Sequence, residues 1–374
     1  MNRDRLKALL AGFPSRKIAV IGDFCMDIYW HADMTRSLLS RETPRFPLPV
    51  VREEFSGGAA SNVAWNLREL GVGTVYAITI FGDDWRGREL RRVLEERHGV
   101  DLRHAVTAPG RVTPAFAKPI RHGIGNEQED ARLDFENASP APPELEDQVL
   151  ANLAECFPTL DALLVANQIN ASLITARVRK AILRLAAKHP DKVVIADSRN
   201  EIGEFKGVIL KPNEIEAARV FRPRILAAEV TDEVIRDSGR RLSERAGRPV
   251  FLTVGERGVF VFDGGRFDHV SAFPVEPPID IVGAGDTFIA ALGAALASGA
   301  TNVEAAELAC LAAAVTVKKI GVTGAASPAE LIDKFSGAGA IEYRISNIEH
   351  RTPKERDERR NANGGRPRKE GPRL

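Results

Sequence analysis

The chain has 374 residues, of which 44% are hydrophobic and 28% charged, a balance that suits a soluble globular protein with a sizeable core. Its formal net charge of +1 is uneven: residues 351–374 carry nine Lys/Arg and four Asp/Glu, which is +5 there and −4 on the remainder. Three widely separated cysteines without a CxxC pair argue against a disulfide framework and structural zinc, and favour a cytoplasmic location. At the N-terminus, the apolar patch Leu6–Phe13 is too short for a signal peptide or a membrane span.

Short apolar runs bounded by turn residues alternate with helical patterns along the chain. Helical spacing is clear in Val63, Leu67 and Leu70. This alternation predicts an α/β fold, with a mostly parallel sheet covered by helices on both faces and ligands bound beyond the carboxyl ends of its strands. The predicted buried strands are Lys17–Gly22, Ala162–Ala166, Val193–Ala196, Val208–Leu210 and Val250–Thr253.

Two carboxylates follow the first predicted strand. Asp23 comes directly after Gly22, and Asp27 lies four residues further on. A single Asp in this position is typical of a turn. Two at this spacing can hold the vicinal hydroxyls of a sugar, so both are candidate substrate ligands.

Two segments do not fit the alternation of strands and helices. Ile28–Val51 and Ala115–Asn137 are rich in polar and β-favouring residues and carry no helical stripe. We predict that they form a small sheet, a lid over the edge that holds the active site. A pair of long surface loops is the alternative, although structureless loops of this length are uncommon.

The segment Gly57-Gly58-Ala59-Ala60-Ser61-Asn62 precedes the amphipathic helix predicted at Val63–Leu70. Paired glycines let a ligand approach the backbone closely, and the Asn62 amide offers both a donor and an acceptor to adjacent hydroxyls. The segment therefore suits a polyhydroxylated ligand. A tight turn with an Asn cap explains the same residues.

Two later turns are candidates for binding a metal and a nucleotide. An N-x-x-E pattern from Asn213 to Glu216 can hold a hydrated Mg²⁺ at a helix start, although an N-capped helix gives the same pattern. The turn Thr253-Val254-Gly255-Glu256-Arg257-Gly258 leaves a shallow nucleotide slot, and a plain hairpin explains it equally well. The sequence contains neither G-x-x-x-x-G-K-[ST] nor G-x-G-x-x-G, which disfavours P-loop enzymes and dinucleotide oxidoreductases.

The stretch Asp280-Ile281-Val282-Gly283-Ala284-Gly285-Asp286-Thr287-Phe288 is the most informative part of the chain, because a long apolar helix follows it. Small residues and unpaired N–H groups at a helix start attract a phosphate. A carboxylate there makes chemical sense if Asp286 removes a proton from a hydroxyl that attacks the phosphate. An ordinary helix cap is the alternative.

Taken in order, these elements resemble the ribokinase-like (PfkB) family of carbohydrate kinases. The resemblance spans about residues 15–335 and rests on the G-D…D, G-G-A-A-x-N, N-x-x-E, T-x-G-x-x-G and D-x-x-G-A-G-D-T-F segments. Within the family the chain is most similar to the kinases for D-glycero-β-D-manno-heptose 7-phosphate, and we expect their kinase domain alone. The segments that carry this closer similarity are Gly22-Asp23…Asp27…Tyr29-Trp30, Thr43-Pro44…Pro47-Leu48-Pro49-Val50-Val51 and Arg132-Leu133-Asp134-Phe135-Glu136.

The resemblance implies a three-layer α/β/α kinase domain over residues 1–340, with lid strands from about 28–51 and 115–137. It also implies a homodimer formed through the lid strands. It implies ATP-dependent phosphorylation of a sugar hydroxyl, with Asp286 as base and an anion hole at Gly283, Ala284, Gly285 and Asp286. It places the sugar at Asp27, Gly57, Gly58 and Asn62, and ATP at Thr253, Gly255 and Gly258. It assigns Mg²⁺ and its waters to Asn213 and Glu216, and a monovalent cation such as K⁺ to Asp280 and Val282.

The chain departs from the heptose phosphate kinases around the substrate. Their D-Y-A-K-G segment is Asn167-Gln168-Ile169-Asn170-Ala171 here, and their D-P-K-G segment is Asp197-Ser198-Arg199-Asn200. An acidic residue of theirs is Arg45, and an Asn of the adenine pocket is Cys310. The loss of a lysine and the gain of arginines predict a redrawn phosphate clamp. The basic residues that favour a phosphorylated or acidic sugar are Arg41, Arg45, Lys118, Arg121 and Arg199.

The leading hypothesis is a cytoplasmic sugar or sugar-phosphate kinase that acts on a heptose 7-phosphate-like substrate at O1. A non-catalytic carbohydrate sensor of the same fold is the competing class, and a nucleoside kinase differs only in its substrate. We expect no membrane partner. Residues 341–374 are basic and poor in apolar side chains, which predicts a disordered tail that is solvated rather than bound to nucleic acid.

Overall fold

The computed structural model describes residues 1–321 and 324–338, and the predicted tail lies outside these residues. The described helices are α1 (Arg3–Gly12), α2 (Ala60–Glu69), α3 (Trp85–Arg92), α4 (Pro143–Cys156), α5 (Ala176–Lys188), α6 (Glu214–Phe221), α7 (Asp232–Ala246), α8 (Ala284–Ala297), α9 (Asn302–Thr316) and α10 (Pro328–Ala338). The described strands are β1 (Lys17–Gly22), β2 (Phe24–Asp33), β3 (Val50–Ala59), β4 (Thr74–Ile78), β5 (Ile80–Gly82), β6 (Val106–Ala108), β7 (Ala115–His122), β8 (Glu127–Glu129), β9 (Leu133–Phe135), β10 (Ala162–Asn167), β11 (Val193–Ser198), β12 (Ile209–Leu210), β13 (Val250–Thr253), β14 (Val259–Asp263) and β15 (Arg266–Val270).

The central sheet has eight strands in the spatial order β15-β14-β13-β12-β11-β10-β1-β4. Six neighbouring strands run parallel: β4, β1, β10, β11, β12 and β13. Strands β14 and β15 return antiparallel as hairpins at one edge. This confirms the predicted α/β fold with a mostly parallel sheet. The predicted strands Lys17–Gly22 and Val250–Thr253 match the structure, because their apolar runs are bounded by turn residues.

Helices cover both faces of the central sheet, since alternate residues of each buried strand point to opposite sides. In β1, Ile18 and Val20 join the core formed with α1, α2, α8, α9 and α10. Ala19 and Ile21 join the second core, formed with α4, α5, α6 and α7. Both faces are therefore buried, which explains why the parallel strands read as continuous apolar runs. Among the described residues, no helix is both long and apolar enough to cross a membrane.

A second sheet, the lid, has the order β3-β2-β7-β8, with β9 paired to β7. This confirms a separate small sheet, but its boundaries differ from the prediction. The segment predicted at 28–51 is strand only at its ends, because Pro44, Pro47 and Pro49 fall between β2 and β3 and cannot donate to a ladder. Strand β3 instead continues through the glycine pair, where Gly58 lies opposite Cys25.

The carboxyl ends of β1, β10, β11 and β12 meet at one edge of the central sheet, because these neighbouring strands are parallel. They end at Gly22, Asn167, Ser198 and Leu210. Strand β2 continues from β1 into the lid after a single residue. Side chains from the sheet edge and from the lid therefore meet in one region.

Candidate active site

The start of α8 is an uncapped helix N-terminus. Gly283 has φ +78°, in the left-handed region that favours glycine, and no side chain caps the helix there. The Ala284 N–H donates to the Ile281 carbonyl at 3.2 Å. The Ala284 N–H is therefore not free to bind an anion in this structure. Of the predicted anion hole, the backbone N–H groups of Gly285 and Asp286 remain.

Lys211 adds a buried positive charge behind this helix start. Its side chain is 6% exposed, and its Nζ lies 3.0 Å from Oδ2 of the buried Asp197. A Cβ added at Gly285 would lie 3.7 Å from the same Nζ, so the ammonium group faces the turn that begins α8. A phosphoryl group at this turn would meet helix N–H groups and a lysine together.

Asp286 is a half-buried carboxylate in the first turn of α8. Its Oδ2 accepts a hydrogen bond from Asn62 Nδ2 at 2.8 Å. Burial raises the pKa of Asp286 to about 7, and the negative charge of Asp197 adds to the rise, whereas Asn62 and Lys211 oppose it. A carboxylate with a pKa near neutral is well matched to general base catalysis.

A cavity of about 180 Å³ lies in front of Asp286, between the lid and the sheet edge. It unites residues from seven separate parts of the chain, and seven of the residues were predicted from the sequence. Its lining residues are Asp27, Gly58, Ala59, Phe116, Lys118, Arg132, Gln168, Arg199, Val282, Gly283 and Asp286.

Asp27 and Lys118 form the lid side of this cavity. Lys118 Nζ lies 3.1 Å from Asp27 Oδ2 and 3.2 Å from the Tyr29 hydroxyl. A Cβ at Gly58 would lie 2.8 Å from Asp27 Oδ1, so only glycine permits this close approach. Gly58 is therefore needed for the position of Asp27, which is a more specific role than the turn expected from the sequence.

The structure does not support Asp23 as a sugar ligand. The buried carboxylate accepts backbone hydrogen bonds from Gln168, Ile169 and Leu173 and one from the Ser172 hydroxyl, at 2.8–3.2 Å. Both oxygens are thus used to tie the end of β1 to the loop after β10. The pair of carboxylates seen in the sequence separates into a structural Asp23 and a cavity-lining Asp27.

Three other predicted substrate residues lie outside the cavity lining. Arg41 is exposed in the segment between β2 and β3. Gly57 packs against α2, where a Cβ would lie 2.8 Å from the Ser61 Cβ. Asn62 is fully buried, and its amide contacts Asp286. Asn62 is therefore placed to act on the base, and Gly57 to position α2.

The predicted metal and nucleotide residues adjoin each other at the ends of β12 and β13, where Asn213 and Thr253 form an isolated parallel bridge. Asn213 Oδ1 accepts the N–H groups of Ile215 and Glu216, and Glu216 Oε2 accepts that of Asn213 at 2.8 Å. This capping box is the alternative interpretation of the N-x-x-E pattern, and it fixes both side chains. Burial, reinforced by Asp197, raises the pKa of Glu216 to about 7.

The two glycines of the predicted nucleotide slot differ in their surroundings. Gly255 has φ +58°, and a Cβ there would meet no atom within 4 Å. Gly258 has φ +92°, and a Cβ would lie 2.1 Å from the Val270 carbonyl oxygen. Gly258 is therefore required by the close passage of β15, and open space for a ligand exists at Gly255.

The sequence matches the family model for pfkB family carbohydrate kinases over residues 15–329. This chain belongs to the pfkB family. Two relatives named bifunctional protein HldE are 30% identical over 342 residues, in Hyphomonas neptunium, and 32% identical over 308 residues, in Campylobacter jejuni. The matches cover 90% and 82% of this chain and 67% and 62% of the relatives, so the chain spans about two thirds of their length.

Solved structures of other members share the fold. Arabidopsis thaliana ribokinase, in complex with ribose and ATP, superimposes with a TM-score of 0.63 at 21% identity, over 86% of this chain and 98% of the ribokinase. Escherichia coli phosphofructokinase-2, in complex with substrates and products, gives 0.65 at 18% identity, over 87% and 99% of the two chains. The family match makes the chain a sugar kinase, and the superpositions show that its fold is ribokinase-like.

The residues of this kinase fit the cations expected in the family. Within residues 1–321 and 324–338, no group of three or more His, Cys, Asp or Glu side chains could hold a metal alone, so Mg²⁺ would need water or phosphate ligands as well. Asp197, Glu216 and Asp286 place excess negative charge around Lys211. A hydrated dication beside Glu216 would relieve that excess, so the residues present are compatible with the Mg²⁺ site that the resemblance implies.

The predicted monovalent-cation residues lie on the loop that leads into α8. Asp280 Oδ1 accepts the Val282 N–H at 3.0 Å, and Oδ2 accepts the Gly321 N–H at 3.1 Å. The Asp280 N–H donates to the Val317 carbonyl at 2.8 Å. These bonds join the loop to the segment after α9 and gather backbone and carboxylate oxygens, the donors that a hard cation prefers.

Sequence reasoning missed several residues of the kinase site. In the sequence, Arg132 belongs only to a segment shared with the family, yet its guanidinium lies 4.6 Å from the Phe116 ring centroid and lines the cavity. Lys211 lies two residues before the N-x-x-E pattern, which assigns it no role. Asp197 is one of the polar residues that the sequence places at the carboxyl end of a predicted strand, but its pairing with Lys211 is not readable from the sequence. Lys211 directly follows the buried run of β12, and a charged residue in that position was the available signal.

Proposed function

We propose that this kinase transfers the γ-phosphoryl group of ATP to a hydroxyl of a phosphorylated or acidic sugar, most similar to a heptose 7-phosphate, at O1. The observation that carries the proposal is Asp286, because one carboxylate borders both the uncapped start of α8 and the sugar-sized cavity under the lid. A hydroxyl in that cavity is within reach of a base, and a phosphate at the helix start faces it.

The catalytic roles follow from this arrangement. Asp286 takes the proton of the attacking hydroxyl, and its raised pKa suits that transfer near neutral pH. The N–H groups of Gly285 and Asp286 and the Lys211 ammonium stabilise the negative charge of the transferred phosphoryl group. Such positioned charges supply most of the rate in phosphoryl transfer, where the protein does little covalent chemistry.

Mg²⁺ and a monovalent cation are part of the proposal. Asn213 and Glu216 would hold a hydrated Mg²⁺, which supplies charge neutralisation at the ATP phosphates when bound. Asp280 and Val282 would hold K⁺ next to the helix start. Thr253 and Gly255 would line the ATP slot, since Thr253 bridges to Asn213 and Gly255 borders open space.

The cations that line the cavity favour an acidic substrate. Lys118, Arg132 and Arg199 face the same space as Asp27 and Asp286. Lys118 is compensated by Asp27, and Arg132 by Asp134 at 2.6 Å, but Arg199 has no carboxylate within ion-pair distance among the described residues. Because arginine binds phosphate through two parallel hydrogen bonds, Arg199 and Arg132 are suited to a sugar phosphate. The sequence resemblance to the heptose phosphate kinases supports a heptose phosphate as this substrate.

We also propose a cytoplasmic homodimer assembled through the lid, without a membrane or nucleic-acid partner. Strand β3 is an edge of the lid sheet, and its Val50 and Val51 are 44% and 51% exposed. An edge strand with exposed apolar residues is a template for pairing with another chain. Sedimentation of wild type and Val51→Lys tests this: a dimer that the charge dissociates supports the proposal, and a wild-type monomer contradicts it.

A coupled assay of ATP consumption tests the function. It compares heptose, hexose and pentose phosphates with the corresponding free sugars, with and without Mg²⁺ and K⁺. We expect turnover with a sugar phosphate and weak or no turnover with free sugars. A preference for free sugars or nucleosides would contradict the proposed acidic substrate but would leave the proposed kinase activity unchanged. If no sugar supports ATP consumption while sugars still bind, the chain is a sensor.

A further inference from the structure

The proposed base is held by a closed chain of side-chain hydrogen bonds between α8 and α2. Thr287 Oγ1 donates to Asn66 Oδ1 at 2.8 Å, Asn66 Nδ2 donates to Asn62 Oδ1 at 3.0 Å, and Asn62 Nδ2 donates to Asp286 Oδ2 at 2.8 Å. Thr287 follows Asp286 in α8, so the chain leaves this helix and returns to it. Thr287, Asn66 and Asn62 are each fully buried.

The chain has a defined direction, and Asn66 sets it. Asn66 Nδ2 also donates to the backbone carbonyl of Asn62 at 2.9 Å. Because a carbonyl can only accept, the amide nitrogen of Asn66 must face the backbone carbonyl of Asn62, and the amide oxygen of Asn66 must face Thr287. Asn62 then has to present its oxygen to Asn66 and its nitrogen to Asp286.

A reversed Asn62 amide would remove the hydrogen bond to the Asp286 carboxylate. Its oxygen would then face the Asp286 carboxylate, and two amide nitrogens would face each other at Asn66. With the observed direction, Oδ2 of Asp286 is occupied, and Oδ1 is the oxygen left for a substrate proton. Packing alone does not explain this network, because apolar side chains of similar shape would fill the same space without three ordered amide and hydroxyl bonds.

We propose that Asn66 and Thr287 are positioning residues that fix the orientation of Asn62 and thereby aim the Asp286 carboxylate into the cavity. The inference rests on the proposed function of Asp286 as base. It adds two fully buried residues that lie outside the cavity lining. Thr287 belongs to the D-x-x-G-A-G-D-T-F segment but has no role assigned from the sequence, and Asn66 lies outside the motifs.

The charges around Asp286 must be considered in any test by pH. Asp197 at the end of β11 and Asp27 from the lid raise its pKa, whereas Lys211 at the end of β12 lowers it. Lys118, Arg132 and Arg199 line the same cavity. None of these groups is altered by a substitution at Asn66 or Thr287, so a shift in the acidic limb of the pH profile would report the lost Asn62 hydrogen bond.

The test uses paired variants of the full chain. Asn66→Leu and Thr287→Val remove the polar atoms with little change of shape, whereas Thr287→Ser keeps the hydroxyl. We expect the first two to lower kcat by roughly ten- to a hundredfold with little change in KM, and to move the acidic limb of kcat/KM up by about one pH unit. Thr287→Ser should behave like wild type.

Leu67→Ala is the control for loss of packing in α2, because Leu67 is fully buried and outside the network. It should lower thermal stability without moving the pH profile. If Asn66→Leu and Thr287→Val change kcat and the acidic limb no more than Leu67→Ala does, the two residues only pack, and the proposal is wrong.

A readout without substrate separates this inference from the proposed function. NMR titration of ¹³C-labelled aspartate carboxyls, with the Asp286 signal identified by its loss in Asp286→Asn, measures the pKa directly. A higher Asp286 pKa in Asn66→Leu than in wild type supports the network even if every sugar fails as a substrate. Equal pKa values in the two proteins overturn it.

Discussion

The start of α8 and the lid side of the cavity face each other, but they are built differently. At α8, Asp286 is surrounded by buried partners, of which Asn62, Asn66 and Thr287 are fully inaccessible. On the lid side, Asp27 and Lys118 form a largely buried pair, but the side chain of Arg132 is 47% exposed. Buried and fully bonded groups have one orientation, whereas exposed long side chains have several. The chemistry is therefore held rigidly, and substrate choice depends on groups that can be exchanged.

Removing the base gives the largest expected effect. Asp286→Asn should lower kcat by about 10²- to 10⁴-fold, because proton removal from the hydroxyl is lost while the anion hole and the cavity persist. Sugar affinity, measured by calorimetry, should change only a few-fold. If the variant loses sugar affinity as strongly as kcat, Asp286 binds the sugar and is not primarily the base.

The buried lysine tests whether the rigid side depends on charge compensation. Lys211→Met leaves Asp197 buried without its partner, which should cost about 3–5 kcal/mol in the free energy of unfolding. Adding Asp197→Asn should recover most of that stability without restoring turnover. Denaturant unfolding and kcat, measured on the single and double variants, separate the two roles. Recovery of activity in the double variant would show that Lys211 only neutralises Asp197.

Substitutions on the lid side of the cavity should mainly change the affinity for the sugar substrate. Arg132→Gln removes a charge-assisted contact, and we expect KM for a sugar phosphate to rise about tenfold or more, with kcat and KM for ATP nearly unchanged. Arg121→Gln is the matched control, because Arg121 is another lid arginine, paired with Asp130 and outside the cavity lining. Equal effects of the two substitutions would mean that general lid charge, not the cavity, attracts the substrate.

The same contrast explains what the sequence could predict. The start of α8 lies within nine consecutive residues, so its chemistry was readable from a local pattern, as were the strands with continuous apolar runs. The cavity depends on bringing together Arg132, Arg199 and Asp27, which are far apart in the chain. Likewise, nothing local distinguishes Asp23, bonded to the loop after β10, from Asp27, which faces the cavity.

Holding a half-buried carboxylate among buried partners should also reduce the free energy of unfolding above acidic pH. The pKa of Asp286 is raised from its ordinary value to about 7, so the folded state binds a proton more tightly than the unfolded state between about pH 4 and 7. Stability from this group therefore falls as pH rises through that window. Asp286→Asn should stabilise the protein at pH 8 by about 1–2 kcal/mol, discounted for the partial exposure of the carboxylate, and not at pH 4. A gain that is equal at both pH values would contradict this explanation.

The smallest effect is expected at Ala59, the last residue of the lid strand β3, where the chain turns into α2. Ala59 has φ +49° and ψ −125°, and it is the sole non-glycine residue with positive φ among the described residues. Such a conformation costs about 1–3 kcal/mol, and glycine would relieve it at an entropic cost of about 0.5–1 kcal/mol. Ala59→Gly should therefore raise the free energy of unfolding by about 1 kcal/mol. Because Ala59 also lines the cavity, a simultaneous loss of kcat would show that the strained backbone contributes to catalysis, whereas unchanged kcat would confine its role to the chain reversal between lid and helix.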